Sequence, residues 1–277
     1  MGLPRELINE IMRYNDRQTL ESCSLTSRAF YSAARPFVHS RMALGIRSLV
    51  HGSHSVMAPR YGPGNWDQAD VFHACHLSAA EERGLLRYGY VREVHLDLGV
   101  GNPEKVLQLQ HLLALGTVHT LTIQRLDLHK ILPIFDRCFS QFVPTVRSLG
   151  LESTHCDDAN QLLEFACRFP HLDDLKLVNP CGPGDSLRLV DAPSGSKGPR
   201  PQRPLPFGGH LVLRGGSSLV QCLLDLPGGI RFRSIEIDSD QKDSAKLLVA
   251  CSSTLEVLNI CCFESCRSAA LTHTSIH

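Results

Sequence analysis

Gly99-Val100-Gly101 is where residue type and spacing come closest to a known chemistry. Two glycines between a strand-like and a helix-like run form a turn whose N–H groups would face a pyrophosphate. Glu104 stands where the third glycine belongs, and Asn102 as helix cap with Pro103 at the first helical position accounts for the turn without a nucleotide. His73-Ala74-Cys75-His76 offers imidazole and thiol ligands, but no second pair or carboxylate motif stands at useful distance. Cys261-Cys262-x-x-x-Cys266 also lacks a second pair, and no Cys-x-x-Cys occurs. His171, within Arg168-Phe-Pro-His-Leu, reads as a turn histidine. There is no Gly-x-Ser-x-Gly elbow and no Gly-x-x-x-x-Gly-Lys loop. Nothing in the chain activates a nucleophile. The expectation is no catalytic residue, no metal, no cofactor, and a chain that is not itself an enzyme.

Composition narrows the remaining classes. A chain of 277 residues has room for roughly two domains at ~150 residues each. Lys+Arg and Asp+Glu both number 28, so no net field draws in nucleic acid or anionic lipid, and neither is expected as a partner. With 43% hydrophobic and 20% charged residues, wholesale disorder is excluded. No run of ~18 uncharged apolar residues would cross a membrane. Met1-Gly2-Leu3-Pro4-Arg5-Glu6 lacks the apolar region of a signal peptide, and Glu6 stands where a myristoylation signal has Ser or Thr. The eleven scattered cysteines include Cys138, Cys167, Cys222 and Cys251 in apolar stretches, as reduced core cysteines would be. The expected location is cytoplasmic and/or nuclear.

The elements that would position any site follow from periodicity. Pro4 fits the first position of a helix that carries Leu7, Ile8, Ile11 and Met12 on one face. Asp16 would cap a second helix with Leu20 and Cys23, and a third runs through Phe30, Ala33 and Ala34 to a stop at Pro36. Residues 41–88 read as a linker with short helices, one of them from Ser78 to Leu86 with Glu81 at the capping-box position.

From residue 91 a pattern repeats: apolar-x-x-apolar-x-apolar. It occurs at Val91/Val94/Leu96, Val118/Leu121/Ile123, Val146/Leu149/Leu151, Leu172/Leu175/Leu177, Phe232/Ile235/Ile237 and Leu255/Leu258/Ile260, with a shorter Leu211/Val212/Leu213 between. The steps are 27, 28, 26, 36, 24 and 23 residues. Helical stretches intervene at Val106–Leu115, Ile131–Phe139, Leu162–Phe169, Leu219–Leu226 and Ala245–Ala250. The long step holds residues 178–206 with seven prolines and four glycines, which reads as a surface loop. A doubly wound parallel sheet and a strand-helix solenoid both fit this alternation. Strands such as Val91-Arg-Glu-Val-His-Leu-Asp have one polar face, which a sheet covered on both sides would not, so the solenoid is favoured.

The N-terminal string Leu3-Pro4-x-Glu6-Leu7-Ile8-x-x-Ile11, then Leu20-x-x-Cys23-Ser24-Leu25-x-Ser27-Arg28-x-Phe30 and Ala34-Arg35-Pro36, resembles an F-box. The following region is similar to leucine-rich repeats, and the combination resembles the F-box proteins with degenerate repeats that abound in fungi. The Asn that closes each turn in such repeats is replaced by Gly99, Leu126, Thr154, Pro180, Asp240 and Phe263, so the turn is less well defined. The resemblance implies an α+β fold: an F-box over 1–40, a linker over 41–88, and a leucine-rich-repeat-like α/β solenoid over 89–265 with a Pro/Gly-rich insert at 178–208 and a tail at 266–277. It also implies docking on a Skp-type adaptor and through it on a cullin, with the repeats holding a protein substrate. The chain would then be the substrate receptor of an SCF-type ubiquitin ligase. Leu3, Pro4, Leu7, Ile8, Ile11, Leu20 and Leu25 are the adaptor-facing candidates. The rivals are an interaction scaffold outside any ligase, with the helical unit capping the first strand, and an α/β enzyme with a degenerate nucleotide site.

Strand alternation assigns a substrate-facing concave side. Its charged candidates are Glu93, His95, Asp97, Glu152, Asp174, Lys176, Glu236 and Asp238. Six carboxylates against one lysine give −5, an acidic surface suited to a basic segment of a partner, or else an ordinary solvated face. Cys266 to His277 would either cap the last repeat loosely or mark a shortened array.

Overall fold

A computed structural model describes residues 4–45, 70–73, 90–98, 117–156, 159–178, 208–215, 218–238 and 243–261. The helix predicted over 78–86, the Gly99–Pro103 turn, the helix 106–115, nearly all of the 178–206 insert, and the tail lie outside these residues, as do Leu3, Ala74, Cys75, His76, Cys262 and Cys266.

Three helices open the chain: α1 (Arg5–Arg13), α2 (Arg17–Ser24) and α3 (Arg28–Val38). Asp16 caps α2, its carboxylate accepting from the Thr19 N–H at 2.8 Å, and that bond holds its pKa below the ordinary carboxylate value. Ser27 caps α3 through Phe30 N. Pro36 does not end α3, contrary to expectation. It lies in the last turn, where its missing N–H costs only one bond to Ser32, and His39 N still reaches the Arg35 carbonyl. Ile8, Met12, Leu20, Ala33, Ala34 and Val38 form a small separate core.

Among the described residues nine parallel strands follow: β1 (Arg41–Gly45), β2 (Asp70–His73), β3 (Glu93–Asp97), β4 (Thr120–Gln124), β5 (Ser148–Glu152), β6 (Asp174–Val178), β7 (His210–Arg214), β8 (Ser234–Asp238) and β9 (Val257–Cys261). From β3 to β9 spatial order equals sequence order, as a solenoid requires; at the other end β1 sits between β2 and β3. The sheet thus begins in the segment read as a linker. Met42 and Leu44 pair in register with Val94 and Leu96, filling the last two positions of the repeat, whereas His39 occupies the first and hides the pattern.

The repeat residues lie where alternation puts them. Leu121, Ile123, Leu149, Leu151, Leu175 and Leu177 are fully buried in one continuous core between strands and helices. The described helices are α4 (Leu128–Ile131), α5 (Phe135–Phe139), α6 (Ala159–Cys167), α7 (Ser218–Leu224) and α8 (Ser244–Cys251). The stretch expected as one helix over 131–139 is broken by a 3-10 turn at Leu132–Ile134, because Pro133 supplies no N–H to continue the α-helical ladder. Phe135 meets Phe165 edge-on at 5.1 Å and Phe139 meets Phe165 at 5.5 Å, locking α5 to α6.

The turns missing their Asn are closed by backbone. Arg125, Ser153 and Gly215, each directly after a strand, adopt φ of 56°, 50° and 73°. The N–H groups of Arg125 and Ser153 then bond the Glu152 and Val178 carbonyls one strand on, both at 2.9 Å. A side chain at Gly209 would collide with the Asp173 carbonyl oxygen, so glycine is required where β7 enters beside β6.

Candidate functional site

Two surfaces compete for attention. The first is on α1. Its buried stripe is Ile8 and Met12; turned away from it, one turn apart, stand Pro4, Leu7, Ile11 and Tyr14. Leu7 is 52% exposed, Ile11 43% and Tyr14 78%. Leu25, directly after α2, is 88% exposed. Such a set of uncovered large side chains on so small a unit needs a partner surface. Of the residues predicted to face an adaptor, Pro4, Leu7, Ile11 and Leu25 are exposed. Ile8 and Leu20 are not: both are buried in the three-helix core, because a unit this small has few other apolar residues with which to build one. Tyr14 was not singled out from sequence, although it follows Leu7 and Ile11 at helical spacing.

The second surface is the open face of the sheet, away from the helices. Glu93, Asp97, Asp174, Lys176 and Glu236 are part-exposed there, and His95, Glu152 and Asp238 are buried. Each carboxylate has a partner one strand away or less. Arg41 Nε lies 2.9 Å from Glu93. Arg125 Nε donates to Asp97 at 2.7 Å. Glu152 accepts from Lys176 Nζ at 2.8 Å and from Gln124 Nε2 at 2.6 Å. Arg214 pairs with Glu236, and Cys261 Sγ lies 3.7 Å from the same carboxylate. Asp174 accepts the His210 N–H at 2.9 Å and Asp238 accepts the Gly215 N–H at 3.1 Å.

This pairing weakens the acidic reading of the face. Arg41, Arg125 and Arg214 join Lys176, so six carboxylates face four cations and the sum falls from −5 to −2. Sequence counting misses Arg41 because His39 hides the repeat of its strand, Arg125 because it follows its strand, and Arg214 because β7 carries only the shortened repeat. The spacing from Leu44 to Leu96 is 52 residues, two repeats of 26, and would have revealed the first.

Protonation follows this pairing. Burial pulls Glu236 upward, but the hydrogen bond and charge of Arg214 outweigh it and hold the carboxyl below its ordinary value. Glu236 in turn raises Arg214. Burial pushes His95 down, with Glu152 and Asp97 opposing, so the ring favours its neutral form. Burial lifts the Cys138 thiol to about 11, leaving it an inert core residue. Among the described residues no cluster of three or more His, Cys, Asp or Glu is placed to hold a metal ion, and no helix is long and apolar enough to cross a membrane.

Comparison with known proteins bears on the first surface. Residues 1–37 match the family model of the F-box domain, spanning α1 and α2 and all but the last residue of α3. No curated protein matches the chain. The chain therefore carries an F-box domain followed by a parallel strand-helix alternation, and F-box domains bind Skp-type adaptors.

Proposed function

We propose that this protein is a substrate-receptor subunit of an SCF-type cullin-RING ubiquitin ligase, working in the cytoplasm or nucleus. The F-box docks on a Skp-type adaptor and through it on a cullin, and the open face of the sheet holds the protein to be modified. The observation that carries the reading is the exposed Pro4, Leu7, Ile11 and Tyr14 stripe within residues that match the F-box. Apolar area of this kind is worth roughly 25 cal/mol per Å² once removed from water. F-box proteins are typically adaptors rather than enzymes, and the protein needs no catalytic group for this role: it brings two partners together.

The test is adaptor binding. Purified protein should bind a Skp-type adaptor, and the double variant Leu7→Ala/Ile11→Ala should bind it more weakly by about 2 kcal/mol or more if these are central contacts. Both side chains lie outside the three-helix core, so the variant should keep its helical circular dichroism. Wild-type protein with no adaptor affinity would instead favour an interaction scaffold that uses the same sheet outside any ligase.

A further inference from the structure

We propose that Tyr31, Arg35 and Tyr90 form a positioning clamp that fixes the angle between the F-box helices and the repeat sheet. Helix α3 ends at Val38 and β1 begins at Arg41, so only His39 and Ser40 separate the two units. Ser40 already belongs to the ladder, its carbonyl accepting the N–H groups of Arg92 at 2.8 Å and Glu93 at 3.0 Å. An attachment at one point of the ladder acts as a pivot. The helix can swing about it unless a second contact is made some distance away.

Arg35 makes that contact. It lies one turn and a half before Ser40, ~7.5 Å along the axis at 1.5 Å per residue. Its guanidinium carbon is 5.4 Å from the ring centroid of Tyr31 and 5.6 Å from that of Tyr90. Both distances fall within the ~6 Å over which an aromatic face attracts a cation. Tyr31 belongs to α3; Tyr90 directly precedes Val91, a buried residue of the sheet core. One planar cation thus joins a ring of the helical unit to a ring of the sheet. Arginine suits the task better than lysine, since its guanidinium is flat, weakly hydrated and stacks on aromatic faces. A partner bound on α1 is then held at one attitude to the open face. The geometry does not depend on adaptor binding, and neither does its test.

The full chain, labelled with a donor and an acceptor dye on non-canonical amino acids at the exposed positions of Glu10 and Glu256, reports the distance between the units by single-molecule energy transfer. The wild type should give one narrow distribution. Arg35→Ala and Tyr90→Leu should each broaden it, enlarging the population of displaced orientations about two- to fivefold for each cation–ring pair removed. Tyr90→Phe keeps the ring and should keep the wild-type distribution. A merely structural role would lower the melting temperature of the variants and leave the distances of the folded molecules unchanged. Unchanged distributions in both Arg35→Ala and Tyr90→Leu overturn the proposal, and so does a Tyr90→Phe variant as broad as Tyr90→Leu. Should Arg35→Ala fail to fold, Tyr90→Leu against Tyr90→Phe decides alone.

Discussion

On α1, Pro4, Leu7, Ile11 and Tyr14 stand in solvent with their apolar surface uncovered; on the open face of the sheet, each of the six carboxylates has a partner at most one strand away. The two surfaces therefore ask different things of a partner. The helical stripe gains free energy from any complementary apolar surface that excludes water. The sheet face gains little from charge alone, because a charged partner must first compete with pairs the protein already makes. A partner held at the sheet, as proposed above, would rely on shape and hydrogen bonding, with the small, part-exposed positions Thr120, Thr122 and Ser148 offering closest approach.

The comparison can be broken most forcefully within the sheet itself. Leu175→Ala should cost about 2–5 kcal/mol in urea unfolding, as for a fully buried leucine. Its neighbour Lys176→Ala should cost less, since Lys176 is part-exposed and the buried Glu152 keeps its bond to Gln124. Equal losses would mean that the sheet has no open face. Next in size is the effect of Leu7→Ala/Ile11→Ala on adaptor affinity, and the same variant sharpens the contrast if the unfolding midpoint of the repeats stays put.

Smaller effects probe the pairing. Arg214→Ala should cost about 0.2–1 kcal/mol at low salt, and less at high salt. Because Arg214 holds Glu236 below its ordinary value, the pair stabilises the fold above the unfolded carboxylate value of 4.5; that contribution fades as pH falls through the lower folded value. Acid titration of the variant should lack this component. The smallest expected effect belongs to His95. Its folded value is depressed below 6.5, so the unfolded chain takes up its proton first as pH falls. Stability should decline from pH 6.5 downward, and His95→Gln should flatten that decline; an unaltered slope would remove His95 from it.

Much of the fold is legible in the sequence because repetition makes it so. Leu121, Leu149 and Leu175 recur at one place in a pattern, and each recurrence confirms the last. The failures occur where a single residue decides. His39 masks the repeat that Met42 and Leu44 complete. Pro133 breaks a helix that periodicity draws as continuous, while Pro36 fails to end one because it sits in a final turn. The site was less legible than the fold. Periodicity placed Ile8 and Leu7 on one apolar face without separating the side that packs inward from the side that does not. The charge count took the strands singly, whereas the pairs form between strands, from Arg41 to Glu93 and from Arg214 to Glu236.

At the far end of the sheet, β9 has a neighbour on one side only among the described residues. Ile260 is exposed, although Ile237, its partner in register on β8, is buried. Neighbour-by-neighbour stacking makes local opening cheapest where large side chains such as Val257 and Ile260 remain exposed. Amide protection should therefore form a gradient, high at β5 and falling toward β9, and the sheet should unzip from that end while its middle stays closed. A protease that samples such openings meets the chain at Val257–Cys261 long before it reaches the core.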